Sequence, residues 1–289
     1  MQGKVCLVTG GTAGIGFVTA RELARKGATV VICGRDAPRG EQAARELRRL
    51  ARNEEVYYQR ADLSASADIR RLARNVVEQF DRLDVLVNNA GAIFESRRLS
   101  ADGIEMTLAL NHLNYFLLTN LLMSRLAATP GSRVVVVSSR AHERIALDFD
   151  DLQSANGFNS WKAYKRSKLA NILFAYELAR RIEGTGVTVN ALHPGFVASR
   201  FGADNGMLFR LGMKVAMTLM AIDVEKGART PVFLASDPSV EGVSGHYFVD
   251  CQERESSPES HDREAARRLW DESVRLIGGE PGDFLRPAD

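Results

Sequence analysis

The sequence predicts an α/β fold, a single domain built on a doubly wound parallel sheet with helices on both faces. Short, continuously apolar segments alternate with amphipathic segments of helical period, as expected when strands are covered on both faces. In addition, 289 residues, of which 45% are hydrophobic and 26% charged, can bury one large core. We therefore expect an enzyme or binding protein with one core.

Seven strands are expected, and each is a short run of mainly β-branched or aromatic residues. They cover residues 5–8, 29–32, 56–58, 85–87, 134–137, 187–189 and 247–249. Helices are expected at residues 17–26, 40–52, 69–80, 103–128 and 163–182. Strand–helix–strand units of this spacing make right-handed crossovers, so the strands should run parallel, in the order 3-2-1-4-5-6-7.

The chain changes character near residue 253. A polar linker over residues 253–262 precedes a helix-like segment near residues 265–277. We therefore divide the chain into a main domain, residues 1–252, and a C-terminal appendage, residues 253–289.

The balance of charges argues against nucleic-acid binding through a positive face. The formal net charge is +2, and basic residues are interspersed with acidic ones. The three cysteines form no Cys-x-x-Cys pair, and Cys6 and Cys33 lie in apolar runs, which indicates a reducing cytoplasm and no metal site. With no charged leader and no apolar stretch of about eighteen residues, we expect neither secretion nor a membrane-spanning helix.

A glycine-rich turn directly follows the first predicted strand. Gly10, Gly14 and Gly16 lie in Thr9-Gly-Gly-Thr-Ala-Gly-Ile-Gly16, and a helical pattern begins at once. These glycines permit a tight turn, close approach to a pyrophosphate and close packing of helix on strand. The helix N-terminus adds free N–H groups. The turn predicts dinucleotide binding, with a plain structural loop as the alternative; an NTPase P-loop is disfavoured because no Gly-Lys-Ser/Thr follows.

The end of the second predicted strand bears on which dinucleotide binds. NAD-dependent enzymes place a carboxylate there for the ribose hydroxyls, whereas NADP-dependent enzymes place a cation for the additional phosphate. Gly34 has no side chain to repel a phosphate, and the adjacent Arg35 can bind it bidentately. Asp36 lies about twenty residues beyond the glycine turn, where an NAD-type acid is expected. The balance favours NADP(H), with NAD(H) as the alternative.

Seven short motifs occur in a fixed order, each within or directly after an expected element. They are the glycine-rich turn Thr9 to Gly16, Asp62-Leu63, Asn88-Asn89-Ala90-Gly91, Asn111, Ser138-Ser139, Tyr164-x-x-x-Lys168 and His193-Pro194-Gly195. On these motifs the chain resembles the short-chain dehydrogenase/reductase family over residues 3–250, and most of all its retinol dehydrogenase-like branch. The resemblance implies a Rossmann-type fold and an oxidoreductase that interconverts an alcohol and an aldehyde or ketone.

Four residues are the candidates for catalysis. Tyr164 and Lys168 are four apart in a predicted helix, so their side chains share one face. We expect the Lys168 ammonium and the cationic nicotinamide ring to lower the pKa of the Tyr164 phenol and so to make it a general acid and base. The resemblance implies that Ser139 binds the substrate oxygen, with Ser138 as the alternative. It also implies that Asn111 helps to hold a water that links Lys168 to solvent.

The resemblance also assigns the residues that contact the cofactor. They are Gly10, Thr12, Ala13, Gly14, Ile15, Gly16, Arg35, Asp62, Leu63, Asn89, Ala90, Gly91, Tyr164, Lys168, Pro194, Gly195, Val197 and Ser199. Two positions depart from the family pattern. Ala13 stands where many NADP-dependent members carry a basic residue, and Asn114 stands where the branch usually has glycine.

The stretch between Ser139 and Tyr164 is longer than is usual in the family. We expect the additional segment, residues 144–161, to line a substrate pocket through Phe149, Phe158 and Trp161, with a surface loop as the alternative. Residues 206–222, rich in methionine and leucine, follow the sixth predicted strand, where the resemblance places a substrate lid.

Flexible thioether side chains suit irregular apolar ligands, so we expect a small hydrophobic carbonyl or alcohol as the substrate. A buried helix and a helix lying on a membrane surface are the alternatives for residues 206–222. The family habit implies a homo-oligomer, dimer or tetramer, in which the helices at 103–128 and 163–182 pair about a two-fold axis. A non-catalytic dinucleotide-binding redox sensor is the alternative function. The enzyme is favoured because a sensor does not need all four catalytic candidates.

Overall fold

One sheet runs through the centre of the described part of the chain. In the computed structural model, which describes residues 1–195 and 224–279, its strands are β1 (Val5–Thr9), β2 (Thr29–Gly34), β3 (Val56–Arg60), β4 (Val85–Asn88), β5 (Arg133–Val137), β6 (Thr188–His193), β7 (Tyr247–Val249) and β8 (Gln252–Glu253). Their order is β3-β2-β1-β4-β5-β6-β7-β8. The predicted order of seven parallel strands is confirmed, and β8 extends it as a two-residue strand antiparallel to β7.

Helices cover both faces of this sheet. They are α1 (Gly14–Arg25), α2 (Ala37–Ala51), α3 (Ser66–Gln79), α4 (Asn114–Ala127), α5 (Ser160–Arg181), α6 (Arg229–Ser236) and α7 (Arg263–Leu276), with shorter turns between them. Apolar side chains of α1, α2 and α6 pack on one face, and those of α3, α4 and α5 on the other. Along β1, Cys6 and Val8 face the first core and Leu7 faces the second, and all three are fully buried. Coverage on both sides explains why the strands are apolar throughout.

The helix predicted over residues 103–128 is interrupted. It begins with a single turn, Met106–Leu108, and passes through a π-helical segment, Ala109–Leu113, before α4 continues it. The prediction of one continuous α-helix is therefore wrong in this respect. A π segment inserts one residue into a helix, and such segments are frequent at functional sites. Here the inserted segment contains Asn111.

The segment predicted as an appendage packs against the main domain. The helix α7 lies on α5, and the Trp270 ring centroid is 4.8 Å from that of Phe116 and 6.0 Å from that of Phe174. In addition, the Nε2 atom of His112 lies 2.9 Å from the Ser273 hydroxyl. The segment thus covers part of the surface of α4 and α5, the two helices whose pairing in an oligomer the resemblance implies.

Two further observations concern residues 1–195 and 224–279. None of their helices is both long enough and apolar enough to cross a membrane. Their His, Cys, Asp and Glu side chains form no group of three or more that could hold a metal ion.

Candidate active site

The glycine-rich turn joins β1 to α1 at the carboxyl edge of the sheet. It includes the predicted contact residues Gly10, Thr12, Ala13, Gly14, Ile15 and Gly16. Gly10 and Gly14 have φ angles of +66° and +57°, which glycine adopts without strain. A Cβ on Gly16 would lie 2.5 Å from the Gly10 carbonyl oxygen and 2.5 Å from Asn89 Nδ2, so close packing requires glycine there. The N-cap Ala13 has no capping side chain, which leaves the first N–H groups of α1 for a pyrophosphate.

Thr9 connects this turn to the loop after β4. Its hydroxyl accepts hydrogen bonds from the N–H groups of Asn89 (2.8 Å) and Ala90 (3.1 Å). The Asn89 side chain donates in return to the Thr9 carbonyl oxygen (2.8 Å). A Cβ on Gly91 would lie only 3.6 Å from Lys168 Nζ. The loop therefore lies between the glycine-rich turn and the catalytic candidates.

The turn formed by Gly34, Arg35 and Asp36 ends β2 at the same edge. A Cβ on Gly34 would lie 3.0 Å from a methyl group of the glycine-rich turn, so a longer side chain would crowd that turn. The Asp36 carboxylate caps α2 by accepting the Arg39 N–H at 3.0 Å. The Tyr58 hydroxyl interacts with the carbonyl oxygens of Gly34 (2.8 Å) and Asp36 (3.1 Å) and so fixes the backbone that carries Arg35. The acid that argued for NAD is thus engaged as a helix cap.

Asp62 and Leu63 lie in the loop after β3. The Asp62 carboxylate accepts hydrogen bonds from the N–H (2.9 Å) and hydroxyl (2.7 Å) of Ser64. Leu63 is buried in the core beneath the loop. The Asp62 side chain therefore holds the loop in shape.

Pro194 and Gly195 follow β6, where Gly195 turns the chain with a φ of +89°. The predicted nicotinamide contacts Val197 and Ser199 lie outside the described residues. The lid predicted over residues 206–222 also lies outside them.

Ser138 and Ser139 follow β5, and their hydroxyls have different partners. The buried Ser138 hydroxyl donates to the Lys168 carbonyl oxygen at 2.7 Å. The Ser139 hydroxyl instead accepts the Ala141 N–H at 3.1 Å, and the Ser139 side chain lies beside the Tyr164 phenol, whose pKa it acts to lower. Ser139 is therefore the serine whose hydroxyl shares a site with Tyr164.

Tyr164 and Lys168 are buried on one face of α5. The Lys168 Nζ atom lies 5.6 Å from the Tyr164 ring centroid and donates to the Val137 carbonyl oxygen at 3.2 Å. Burial lowers the pKa of the Lys168 ammonium to about 8. Burial raises the pKa of Tyr164 to about 12, although the neighbouring Ser139 side chain acts in the opposite direction. Desolvation of the phenolate dominates in the protein alone, and the lowering expected beside the cationic nicotinamide ring stays a prediction.

The Asn111 side chain ties three elements of the site together. Its Oδ1 atom accepts the Ala92 N–H at 2.8 Å, and its Nδ2 atom donates to the Ala92 carbonyl oxygen at 2.9 Å. The same Nδ2 atom donates to the Ser167 hydroxyl oxygen at 3.0 Å, and that hydroxyl donates to the Tyr164 carbonyl oxygen at 2.7 Å. The π-helical segment thus connects the loop after β4 to the helix that carries Tyr164.

Several residues that support this site are not predicted from the sequence. Thr9 and Ser167 are examples: Thr9 begins the glycine-rich turn and Ser167 lies between Tyr164 and Lys168, but their sequence positions alone assign them no supporting role. The buried His142 is another: its Nδ1 atom lies 2.6 Å from the Ser139 carbonyl oxygen, and its Nε2 atom accepts the Ser257 N–H at 3.0 Å. The first contact is local, whereas the second joins positions 115 residues apart and has no signal in the sequence.

Similar sequences and structures are found among the dehydrogenases. A family model described as short chain dehydrogenase matches residues 4–206. Human retinol dehydrogenase 14 is 43% identical over 297 residues, covering 96% of this chain and 87% of that protein. The crystal structure of an uncharacterised protein from Mycobacterium paratuberculosis has a TM-score of 0.78 at 32% identity, covering 96% of this chain and 95% of that one. A Pseudomonas aeruginosa RhlG/NADP complex has a TM-score of 0.68 at 28% identity, covering 91% and 97%.

Proposed function

The chain belongs to the short-chain dehydrogenase family, and on this premise we propose that it is an NADP(H)-dependent oxidoreductase that interconverts an alcohol and an aldehyde or ketone. The observation that carries the proposal is the grouping of Ser139, Tyr164 and Lys168 beside the glycine-rich turn. A non-catalytic sensor would have no use for a hydroxyl, a phenol and an ammonium arranged in this way. The retinol dehydrogenases among its relatives favour an apolar substrate.

The residues of the site divide the work of carbonyl reduction. When bound, the reduced dinucleotide supplies the hydride that adds to the carbonyl carbon. Ser139 donates a hydrogen bond to the carbonyl oxygen as negative charge develops on it. Tyr164, kept protonated at neutral pH by its raised pKa, gives its proton to that oxygen and completes the alcohol. The Lys168 ammonium stabilises the phenolate that remains, which regains a proton from water.

The turn after β2 supports the preference for NADP(H). Gly34 leaves little room for an acidic side chain, and Asp36 is engaged as the cap of α2. Arg35 comes next to both and can bind a 2′-phosphate bidentately. Similar solved structures include complexes with NADP.

Tyr164→Phe tests the proposed mechanism, because it removes only the hydroxyl. We expect turnover of retinal or another apolar aldehyde to fall about 10²- to 10⁴-fold, the contribution typical of a general acid. Cofactor binding should be retained. Tyr176→Phe is the matched control on the same helix, since the Tyr176 hydroxyl bonds Ser256 at 2.7 Å and takes no part in the mechanism. Undiminished turnover of a confirmed substrate by Tyr164→Phe would refute the mechanism.

The cofactor preference is tested by thermal shift with NADP and NAD at equal concentrations. We expect a larger shift with NADP for the wild type, and nearly equal shifts for Arg35→Ala because the variant lacks the cation that binds the additional phosphate. A larger shift with NAD for the wild type would overturn the preference.

A further inference from the structure

Trp161 lies one helical turn before Tyr164, in the first turn of α5. Its ring is stacked on the Tyr164 ring, with centroids 5.5 Å apart and planes inclined by 25°. Trp161 nevertheless remains 50% exposed, whereas Tyr164 is buried. The indole therefore covers the reactive phenol on one side and leaves a large apolar surface open on the other.

The position of Trp161 follows from the periodicity of the helix. Residues three or four apart lie above one another, so Trp161, Tyr164 and Lys168 form a stripe along one face of α5. Lys168 forms one end of this stripe and bonds the carbonyl oxygen of the last residue of β5. Tyr164, in contact with Ser139, forms the middle. A substrate oxygen held at Tyr164 therefore lies next to the exposed indole, on the side away from Lys168.

Packing accounts for the aromatic neighbour Phe149 but not for Trp161. The Arg268 guanidinium lies 4.5 Å from the Phe149 ring centroid, and Phe149 packs in a cluster between α5 and α7. Among residues 1–195 and 224–279, the ring contact of Trp161 is with Tyr164, and the indole belongs to none of the apolar clusters. Asn159 caps α5 by accepting the Lys162 N–H at 2.9 Å, so Trp161 is held on a regular helix. A rigid, exposed aromatic surface beside the reacting group suits recognition of another flat apolar group.

We propose that Trp161 is a specificity-determining residue whose exposed indole binds the flat apolar body of the substrate, an aromatic or conjugated carbonyl compound or alcohol. This inference rests on the proposed function, because it takes Tyr164 and Ser139 as the place of the reacting oxygen. A short aliphatic substrate reaches the same oxygen site without covering the indole. The contribution of Trp161 therefore depends on the size and flatness of the substrate.

The kinetic test compares 2-naphthaldehyde with propanal. We expect Trp161→Ala to lower kcat/KM for 2-naphthaldehyde about tenfold, mainly through KM, since a factor of this size matches one aromatic contact. For propanal the change should stay within about twofold, and Trp161→Phe should recover most of the loss because it restores an aromatic face. An equal loss for both aldehydes, or no loss for either, would overturn the proposal.

A binding experiment tests the same contact without turnover. The chain has two tryptophans, Trp161 and the buried Trp270, so protein labelled with 5-fluorotryptophan gives two ¹⁹F resonances, which Trp161→Phe assigns. With 2-naphthalenemethanol we expect a shift of the Trp161 resonance and not of the Trp270 resonance, and with 1-propanol a shift of neither. An unmoved Trp161 resonance at saturating naphthalenemethanol would overturn the proposal. Failure of the proposed function would instead be seen as an active Tyr164→Phe variant, whatever the ¹⁹F result.

Discussion

The variant Lys168→Met separates two effects of the Lys168 ammonium: the loss of folding stability caused by its burial and its proposed role in catalysis. Burial lowers the pKa of Lys168 from its ordinary value of 10.5 to about 8. Between these values the unfolded chain binds more protons than the folded chain, so the free energy of unfolding rises with pH. The difference corresponds to about 3 kcal/mol, which is the cost of keeping the buried ammonium charged below pH 8. Methionine fills a similar volume without a charge and escapes this cost.

The variant also loses the hydrogen bond to the Val137 carbonyl oxygen, worth about 1–2 kcal/mol. At pH 7 we therefore expect Lys168→Met to be about 1–2 kcal/mol more stable than the wild type and to be inactive. The lost hydrogen bond acts at every pH, whereas the charge penalty does not. The advantage of the variant should consequently shrink by about 2 kcal/mol between pH 7 and pH 9.5, as the wild-type ammonium deprotonates.

Urea unfolding at fixed ionic strength, followed by circular dichroism at pH 7 and pH 9.5, measures this difference. Lys162→Met is the matched control, because Lys162 lies on the same helix with its side chain exposed. The control should differ from the wild type by the same amount at both pH values. If the stability difference between Lys168→Met and the wild type were also the same at pH 7 and pH 9.5, burial would not disfavour the ammonium and the reasoning would be refuted.

Three further predictions test other parts of the molecule. Gly16→Ala should abolish NADP(H) binding in calorimetry, because its Cβ would lie 2.5 Å from the Gly10 carbonyl oxygen; unchanged affinity would contradict this. Tyr58→Phe should lower the ratio of NADP to NAD affinity severalfold, since the turn of Arg35 loses its anchor, and an unchanged ratio would exclude that role. Burial lowers the pKa of His112 and His193 to about 4, so the folded chain binds fewer protons than the unfolded chain below pH 6.5. The free energy of unfolding in urea should therefore fall by about 2 kcal/mol for each histidine between pH 7 and pH 5. A free energy of unfolding that does not change over this pH range would show that neither histidine is buried as described.

The sheet could be predicted because burial on both faces is written in consecutive residues. Cys6, Leu7 and Val8 are apolar without alternation, and this pattern fits only a strand or helix covered on all sides. Parallel strands then bring all their carboxyl ends to one edge, so motifs far apart in sequence were expected to meet there. The grouping of Ser139 with Tyr164 agrees with that reasoning.

Features that depend on tertiary contacts could not be predicted in this way. No hydrophobic periodicity marks the π-helical segment around Asn111 in the sequence. The Asn111 side-chain amide is held there by tertiary contacts with the Ala92 backbone and the Ser167 hydroxyl. The raised pKa of Tyr164 in the protein alone could not be predicted either, because residue spacing shows which charges are near but not how much water is excluded.

The C-terminal segment is joined to the candidate catalytic residue Ser139 by His142, whose tautomer follows from its hydrogen bonds. Because His142 Nε2 accepts the Ser257 N–H, the ring proton must lie on Nδ1, where it donates to the Ser139 carbonyl oxygen. A second proton on the ring, at Nε2, would point at the Ser257 N–H, so two donors would face each other. Burial correspondingly lowers the pKa of His142, so the connection is intact at neutral pH.

A second histidine makes the same kind of connection beside Asn111. The Ser273 hydroxyl of α7 donates to the Leu269 carbonyl oxygen at 2.7 Å, so its oxygen must accept the proton on His112 Nε2. His112 is the neighbour of Asn111 within the π-helical segment. The C-terminal segment therefore forms hydrogen bonds beside two of the four catalytic candidates, Ser139 and Asn111. The two contacts come from different parts of the segment: Ser257, which precedes α7, bonds the His142 ring beside Ser139, and Ser273 of α7 bonds the His112 ring beside Asn111.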